Sequence, residues 1–341
     1  MPSEKAGWVN RLRDRVLPLP NVVGCGWGEK RTRGRPTGKH GMIVFVKRKV
    51  PAQKLKKGER VPAVLGALPT DVVEVGELRL LAVETPVLRT MRLRPAPPGV
   101  SVGHLLVSAG TLGAVVKDAA TGRTLILSNN HVLANQTDGQ DGRAQAGDAV
   151  LQPGSYDGGR VPQDIIGRLA RFVPIRRCAT EPRCSVARAA ERVLNAGMRW
   201  LVPKYRIRFA RLEEADNLVD AAVAEPAAPG IVKPSILDLG PVRGVAEAEV
   251  GMRVEKSGRT SGVTRGEVIA LGATFTVSLG DSVAARFSDQ IVTTPMAQPG
   301  DSGSLIVDER RRAVGLLFAG SEQATLCNRI QNVLEQLDIH F

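Results

Sequence analysis

Apolar residues in this chain fall mostly into short runs separated by glycine, proline, asparagine and aspartate, the pattern of β-strands joined by turns. Such runs predict strands over 21–27, 42–46 and 71–75, then over 105–107, 113–116 and 124–127. Further strands are expected over 217–224, 267–271, 274–279, 290–294, 304–307 and 313–318. Helical spacing is rarer. Trp8, Val9, Leu12 and Val16 mark a short amphipathic helix that Pro18 and Pro20 end. Val186, Ala190, Val193, Leu194 and Leu201 share one face of a longer helix, and alternation of Tyr205, Ile207 and Phe209 with arginines then suggests a strand. Ile330, Val333, Leu334 and Leu337 line a last helix, with Asn328 as its cap.

Residues 1–94 read as a small α+β module without a catalytic constellation. Within it, Cys25 in VVGCGWG fits a glycine-flanked strand bulge better than a nucleophile, and His40 a solvated loop. Residues 95–99, PAPPG, are the best linker in the chain, because proline-rich segments resist packing. A domain boundary is expected there. From residue 100 onward the pattern is all β, interrupted by an arginine-rich interlude over 168–211 that reads as an inserted basic helix.

At 341 residues and 43% hydrophobic content, the chain is long enough for two or three compact units with cores. Its apolar runs fall short of a membrane helix, so no membrane partner is expected, and the start, MPSEKAGWVNRLRDRV, lacks a signal-type apolar segment. An intracellular, cytoplasmic protein is the expectation. Four cysteines do not make a disulfide framework, and the spacing of Cys178 and Cys184 matches no usual zinc site. The net charge of +13 implies attraction to nucleic acid or to an acidic partner, for which the arginines of 168–211 are the candidate surface. Against that, an aromatic content of 4% argues against a base-stacking platform, and an amphipathic helix with a solvated arginine face explains the same letters. A homo-oligomer is left open.

The candidate chemistry centres on QPGDSGSLI, residues 298–306. A serine hydroxyl attacks a carbonyl when a tight turn presents it and backbone N–H groups converge on the oxygen that becomes negative. Gly300, Asp301, Ser302 and Gly303 suit that task, and Ser302 is the candidate nucleophile. A polar β-turn ahead of a strand is the plainer reading, so a base and an acid are needed elsewhere. Of four histidines, only His131, in SNNHVL, lies just past a strand end, at a strand-to-loop corner. Asp220 interrupts the apolar strand NLVDAAVA, where a buried carboxylate is costly unless a partner such as an imidazole N–H uses it. The glycine-rich SGRTSGVTRG, residues 257–266, lacks the lysine and following helix of a phosphate loop.

The order His131, Asp220, Ser302 is that of chymotrypsin-type sites. Through SNNHVL, VDAAV, PGDSGSLIV and VGLLFAG the chain resembles the trypsin-like, chymotrypsin-fold serine proteases, and VEKSGRTSGVTRGEV looks like the start of the second barrel in bacterial secreted members. Over nearly its whole length, including NVVGCGWG and LPTDVVEVG, it is closer to intracellular proteases related to the plant narrow-leaf protein. The resemblance implies a mainly β, double six-stranded β-barrel preceded by the α+β module. The first barrel would span 100–240, with the basic helical insertion at 175–211, and the second 241–341, with the C-terminal helix.

Carried over by position, the resemblance makes Ser302 the nucleophile, His131 the base, Asp220 its orienting acid, and the N–H groups of Gly300 and Ser302 the oxyanion hole. It implies no metal and no cofactor. Asp301 would need a cation, which animal trypsins supply from a freed N-terminus and bacterial relatives from an internal residue; Lys256 or Arg259 is the candidate here. The substrate pocket would have Met296 at its base and Phe318, Ala319 and Gly320 along a wall, which favours a neutral, apolar side chain. The expected activity is a serine endopeptidase acting through an acyl-enzyme. The alternative is a catalytically silent protease-fold scaffold that binds nucleic acid or acidic partners through its basic insertion.

Overall fold

The computed structural model describes residues 11–32, 35–78, 87–180, 184–202, 204, 207, 209, 211–212, 216–280 and 283–341. Among them the strands of three or more residues are β1 (Val22–Thr32), β2 (Arg35–Val46), β3 (Leu68–Glu74), β4 (Ser101–His104), β5 (Ala114–Asp118), β6 (Thr124–Ser128), β7 (Ala149–Leu151) and β8 (Ile165–Phe172). Then come β9 (Ala222–Pro226), β10 (Arg253–Gly258), β11 (Gly262–Gly280), β12 (Val283–Thr293), β13 (Leu305–Asp308), β14 (Ala313–Gly320) and β15 (Thr325–Arg329). The long helices are α1 (Ser185–Leu201) and α2 (Ile330–Leu337).

The chain is mainly β and forms two barrels. Strands β10, β13, β14, β15, β12 and β11 pair in that order, and the β10–β11 ladder closes them into a six-stranded ring. In the other sheet β5, β6, β9, β8, β7 and β4 are neighbours in that order. Residues 110–111 pair with β4, Leu112 N donates to Val100 O at 2.9 Å, and Gly113 N donates to Leu127 O at 2.9 Å, so this segment draws the two ends of the sheet together.

Strict alternation is weak in the barrel strands because both of their faces are covered. In β6, Ile126 faces the interior of the first barrel with Val102 and Leu169, while Leu125 and Leu127 face a second cluster with Leu316 and Val333. That second cluster joins the barrels to each other and to α2. A fully buried leucine or isoleucine of this kind contributes roughly 1.5–3 kcal/mol.

Several sequence expectations need correction. Residues 105–107 form a turn after β4, with Leu106 68% exposed, because the ladder to β7 ends at His104. The strands expected at 267–271 and 274–279 are one strand, β11, which absorbs Gly272 at φ +60° as a register shift rather than a turn. That length matters, since the far part of β11 pairs with β1, and β1 with β2 and β2 with β3. The N-terminal strands therefore continue the sheet of the second barrel. Phe45 packs against Phe275 across this junction, with ring centroids 5.1 Å apart and the planes tilted by 36°. Cys25 is buried at a register shift in β1, and burial pushes its thiol up to about 12, far from a nucleophile's range.

The proline-rich stretch is packed rather than loose. Ala96 is buried, Ala96 N donates to Ile231 O at 2.8 Å, and Leu237 N donates to Pro98 O at 2.9 Å. An extended, apolar backbone that needs few donors fits a sheet edge as well as a tether. Trp8, Val9 and Tyr205 lie outside the described residues, as do Arg183, Arg206 and Arg208 of the basic interlude. Residues 11–12 are helical and run into a 3-10 turn over 13–15, with Leu12 and Val16 buried, so the described end of the expected helix is present. Helix α1 forms where expected, entered and left through the pairing of 179–180 with 211–212, but Val186 and Val193 on its apolar face are exposed. Asn328 belongs to β15, and Arg329 occupies the N-cap position of α2.

Candidate active site

Strand β6 ends at Ser128, and the next residues turn into a single helical turn, Asn130–Leu133, that carries His131. The Asn129 amide donates to Asp220 O at 2.8 Å, which ties the turn to the segment leading into β9. Two bonds then join the histidine to the acid: His131 N donates to Asp220 Oδ1 at 3.1 Å, and Nδ1 lies 2.5 Å from Oδ2. A carboxylate only accepts, so Nδ1 carries the proton and Nε2 keeps a lone pair for a substrate proton. Asp220 is 1% exposed, which keeps water from competing for it. Its backbone is gripped by Asn328, whose Oδ1 accepts from Asp220 N at 3.0 Å and whose Nδ2 donates to Asp220 O at 3.1 Å. Asn328, expected as a helix cap, lies instead in β15, and no local signal marks its amide as the grip on Asp220.

The other carboxylate of that segment, Asp216, takes the arginines, with Arg13 Nη1 at 2.8 Å and Arg286 Nε beside its Oδ1. His104 also meets an acid, with Nε2 3.1 Å from Asp148 Oδ2. Its Nδ1 accepts from Leu106 N at 3.2 Å, so both ring nitrogens are committed to holding a turn.

Ser302 sits on a tight turn between Gly300 and Gly303, both at φ +94°. A side chain at Gly303 would stand 2.1 Å from Ser128 Oγ and 2.4 Å from Thr111 O, so only glycine lets the loop dock on the first barrel. The docking bonds are Thr111 N to Ser302 O at 2.7 Å and Thr111 Oγ1 to Gly300 O at 2.8 Å, and Ser128 Oγ braces Thr111 O at 2.7 Å. Ser128 and His131 are on one corner of the first barrel, so this contact brings the serine loop to the histidine's side of the seam between barrels. A methyl placed on Gly110 would lie 2.4 Å from Val132 Cγ2 and 2.9 Å from Ser302 O, a measure of how near the loops pass. Ser302 Oγ donates to Phe318 O at 3.3 Å, long for such a bond.

The residue after Gly303 has a use. Ser304 Oγ donates to Asp301 O at 2.5 Å, joined by Ser304 N at 3.0 Å. Carbonyl and N–H of a trans peptide point oppositely, so these bonds set the direction of the Ser302 N–H.

Asp301 is fully buried and meets Lys256 Nζ at 2.8 Å, with both side chains at 0% exposure. Its oxygens also accept from Thr260 N at 2.9 Å, Ser261 N at 3.1 Å and Gln298 N at 2.9 Å. Burial pushes the Lys256 ammonium below its ordinary pKa, while the Asp301 charge and hydrogen bond pull it back. Arg259, the other candidate, does not bind the Asp301 side chain; its guanidinium turns to Asp157 on the first barrel. Lys256→Met should lower folding stability by about 3 kcal/mol, the low end for breaking a buried pair, because the remaining donors still serve Asp301. Chemical denaturation reads this directly, and an unchanged midpoint would contradict it.

Of the four residues expected in the pocket, Met296 and Gly320 line a groove of about 800 Å³. Phe318 and Ala319 instead pack with Phe287 and Leu326 in the cluster against the N-terminal sheet. Gly76 and Glu77, beyond β3, and Glu322 also line this groove. No local pattern could have placed residue 76 there, since its position depends on the β1–β11 pairing. Among the described residues no group of three or more His, Cys, Asp or Glu is placed to hold a metal, and no helix is long and apolar enough to cross a membrane.

No protein-family model matches the chain. Over 80 residues it is 40% identical to Serine protease 2 of Streptomyces fradiae, a match covering 24% of this chain and 37% of that protein. Among solved structures, Thermobifida fusca protease A aligns at 16% identity and a TM-score of 0.44, covering 72% of this chain and 96% of that one. Cellulomonas bogoriensis chymotrypsin aligns at 16% identity and 0.41, covering 72% and 97%, and a glutamic acid-specific serine protease at 16% and 0.43, covering 72% and 99%. Each of these is a protease by name, and the mainly β double barrel stands on this chain's own strand pairing.

Proposed function

We propose that this chain is a serine endopeptidase, with Ser302 as nucleophile, His131 as general base and acid, and Asp220 as the group that orients and charges the imidazole. The observation that carries the reading is the buried His131–Asp220 pair, joined at 2.5 Å, at the seam where the Ser302 loop docks. Ser302 Oγ turns from its weak bond to Phe318 O toward His131 Nε2, gives up its proton there and bonds to the scissile carbonyl carbon. The N–H groups of Gly300 and Ser302 receive the oxygen that becomes negative, each donor supplying roughly 3–4 kcal/mol. The C–N bond then breaks, and Nε2 hands its proton to the leaving amine. Water attacks the acyl-enzyme by the same route, and Ser302 leaves reprotonated.

The Lys256–Asp301 pair supports a loop that is assembled without a freed N-terminus. The groove beside Met296 takes the side chain before the cut, and its apolar base favours a neutral one. The lineage in this reading is that of the intracellular proteases related to the plant narrow-leaf protein, acting on peptides or proteins in the cytoplasm. Covalent labelling tests it: a fluorophosphonate should modify the native protein at one position, Ser302, located by mass spectrometry of the digested adduct. Folded native protein that stays unlabelled there would sink the reading.

A further inference from the structure

The turn between β10 and β11 buries a whole guanidinium: Arg259 is 0% exposed. Its Nε donates to Asp157 Oδ2 at 2.7 Å and its Nη2 to Asp157 Oδ1, a two-pronged pairing that a guanidinium suits and an ammonium does not. Asp157 belongs to the first barrel and is itself steadied by Ser101 Oγ, which donates to Oδ2 at 2.5 Å. The Tyr156 ring covers the guanidinium, with its centroid 5.5 Å from Cζ. One prong is left over. Nη1 donates to Thr260 Oγ1 at 3.0 Å, and that hydroxyl donates to Pro299 O at 2.6 Å.

Pro299 O and Gly300 N belong to one peptide unit, so holding the carbonyl fixes where the Gly300 N–H aims. A peptide beside a glycine at φ +94° has little resistance of its own to turning over. The far side of the same residue is tied as well: Thr111 Oγ1 donates to Gly300 O at 2.8 Å, and Arg259 N donates to Thr111 Oγ1 at 2.9 Å.

We infer that Arg259 is a positioning residue for the oxyanion site. Its forked bond to Asp157 across the barrels fixes Thr260, and Thr260 fixes the 299–300 peptide with the Gly300 N–H facing the reacting carbonyl oxygen. The inference rests on the reading of Ser302 as nucleophile.

Thr260→Val keeps the side-chain shape and removes only the hydroxyl link. It should lower kcat by about 10²-fold with KM nearly unchanged, since an oxyanion donor acts in the transition state. Affinity for a peptide boronate, which forms a tetrahedral adduct, should fall in parallel, and Thr260→Ser should restore both. Arg259→Lys, which keeps the charge and loses the fork, should lower kcat by about tenfold or more. Crystals of Thr260→Val should show the 299–300 peptide turned. Wild-type kcat and boronate affinity in Thr260→Val, with the peptide unmoved, would overturn the inference. A native protein that cleaves no peptide would instead count against Ser302 as nucleophile, and the orientation of that peptide in the Thr260→Val crystals would then decide the role of Arg259 by itself.

Discussion

Turnover of a peptide substrate by Ser302→Ala falls by about 10⁴-fold or more, and adding His131→Ala takes it no lower. In the proposed mechanism the two side chains act as one unit: without the hydroxyl there is no proton for Nε2 to accept, and without the imidazole the hydroxyl is a poor nucleophile. Losses from such a unit do not add. The substitution is structurally mild, because Ser302 is 3% exposed and its hydroxyl makes only the 3.3 Å bond to Phe318 O. Steady-state kinetics on the two single variants and the double variant, with thermal unfolding as a control, reads the outcome. A drop under tenfold in folded Ser302→Ala, or losses that multiply in the double variant, would contradict the assigned roles.

What could be read from the letters was the part of the site that lies in continuous chain. GDSG announces a turn with a presented hydroxyl, SNNHVL puts the single well-placed histidine at a strand end, and Asp220 stands out as an acid in an apolar run, although the strand expected over 217–224 begins only at Ala222. The short apolar runs likewise gave a mainly β protein. The rest depends on partners distant in sequence. Whether Lys256 or Arg259 reaches Asp301 turns on one residue of register in a hairpin, and the fold sends Lys256 to Asp301 and Arg259 across to Asp157. Asn328 looked like a helix cap because helical spacing begins just after it, yet its amide is used by Asp220 from 108 residues away. The Pro95–Gly99 stretch looked like a tether because proline weakens local structure, while its backbone is held by hydrogen bonds to Ile231, Lys233, Leu237 and Leu112. The apolar stripe of α1 has the period of a buried face but two of its valines are exposed, which period alone cannot foretell.

Asp220→Asn isolates the role of the acid without opening a cavity, and its kcat should fall by about 10⁴-fold, equivalent to about 5.4 kcal/mol of transition-state stabilisation. The reason lies in the two bonds to His131. The backbone N–H of His131 meets Oδ1 and can only donate, so an asparagine must keep its carbonyl oxygen on that side. Its NH₂ group is then forced to face Nδ1, 2.5 Å away in the native pair. Two N–H groups cannot meet at that distance, so a neutral imidazole moves its proton from Nδ1 to Nε2. In that tautomer Nε2 carries a hydrogen and has no lone pair to take the hydroxyl proton that the proposed mechanism assigns to it. The Asn328 and Asn129 contacts are to the backbone of residue 220 and survive the substitution, so folding stability should change little. KM should also change little, because residue 220 is 1% exposed and meets no substrate. Fluorophosphonate labelling should slow by a factor close to that in kcat, since both require the same proton transfer. If Asp220→Asn keeps more than a tenth of native kcat, the carboxylate is a structural anchor for the His131 turn, and the base at Nε2 is set by some other group.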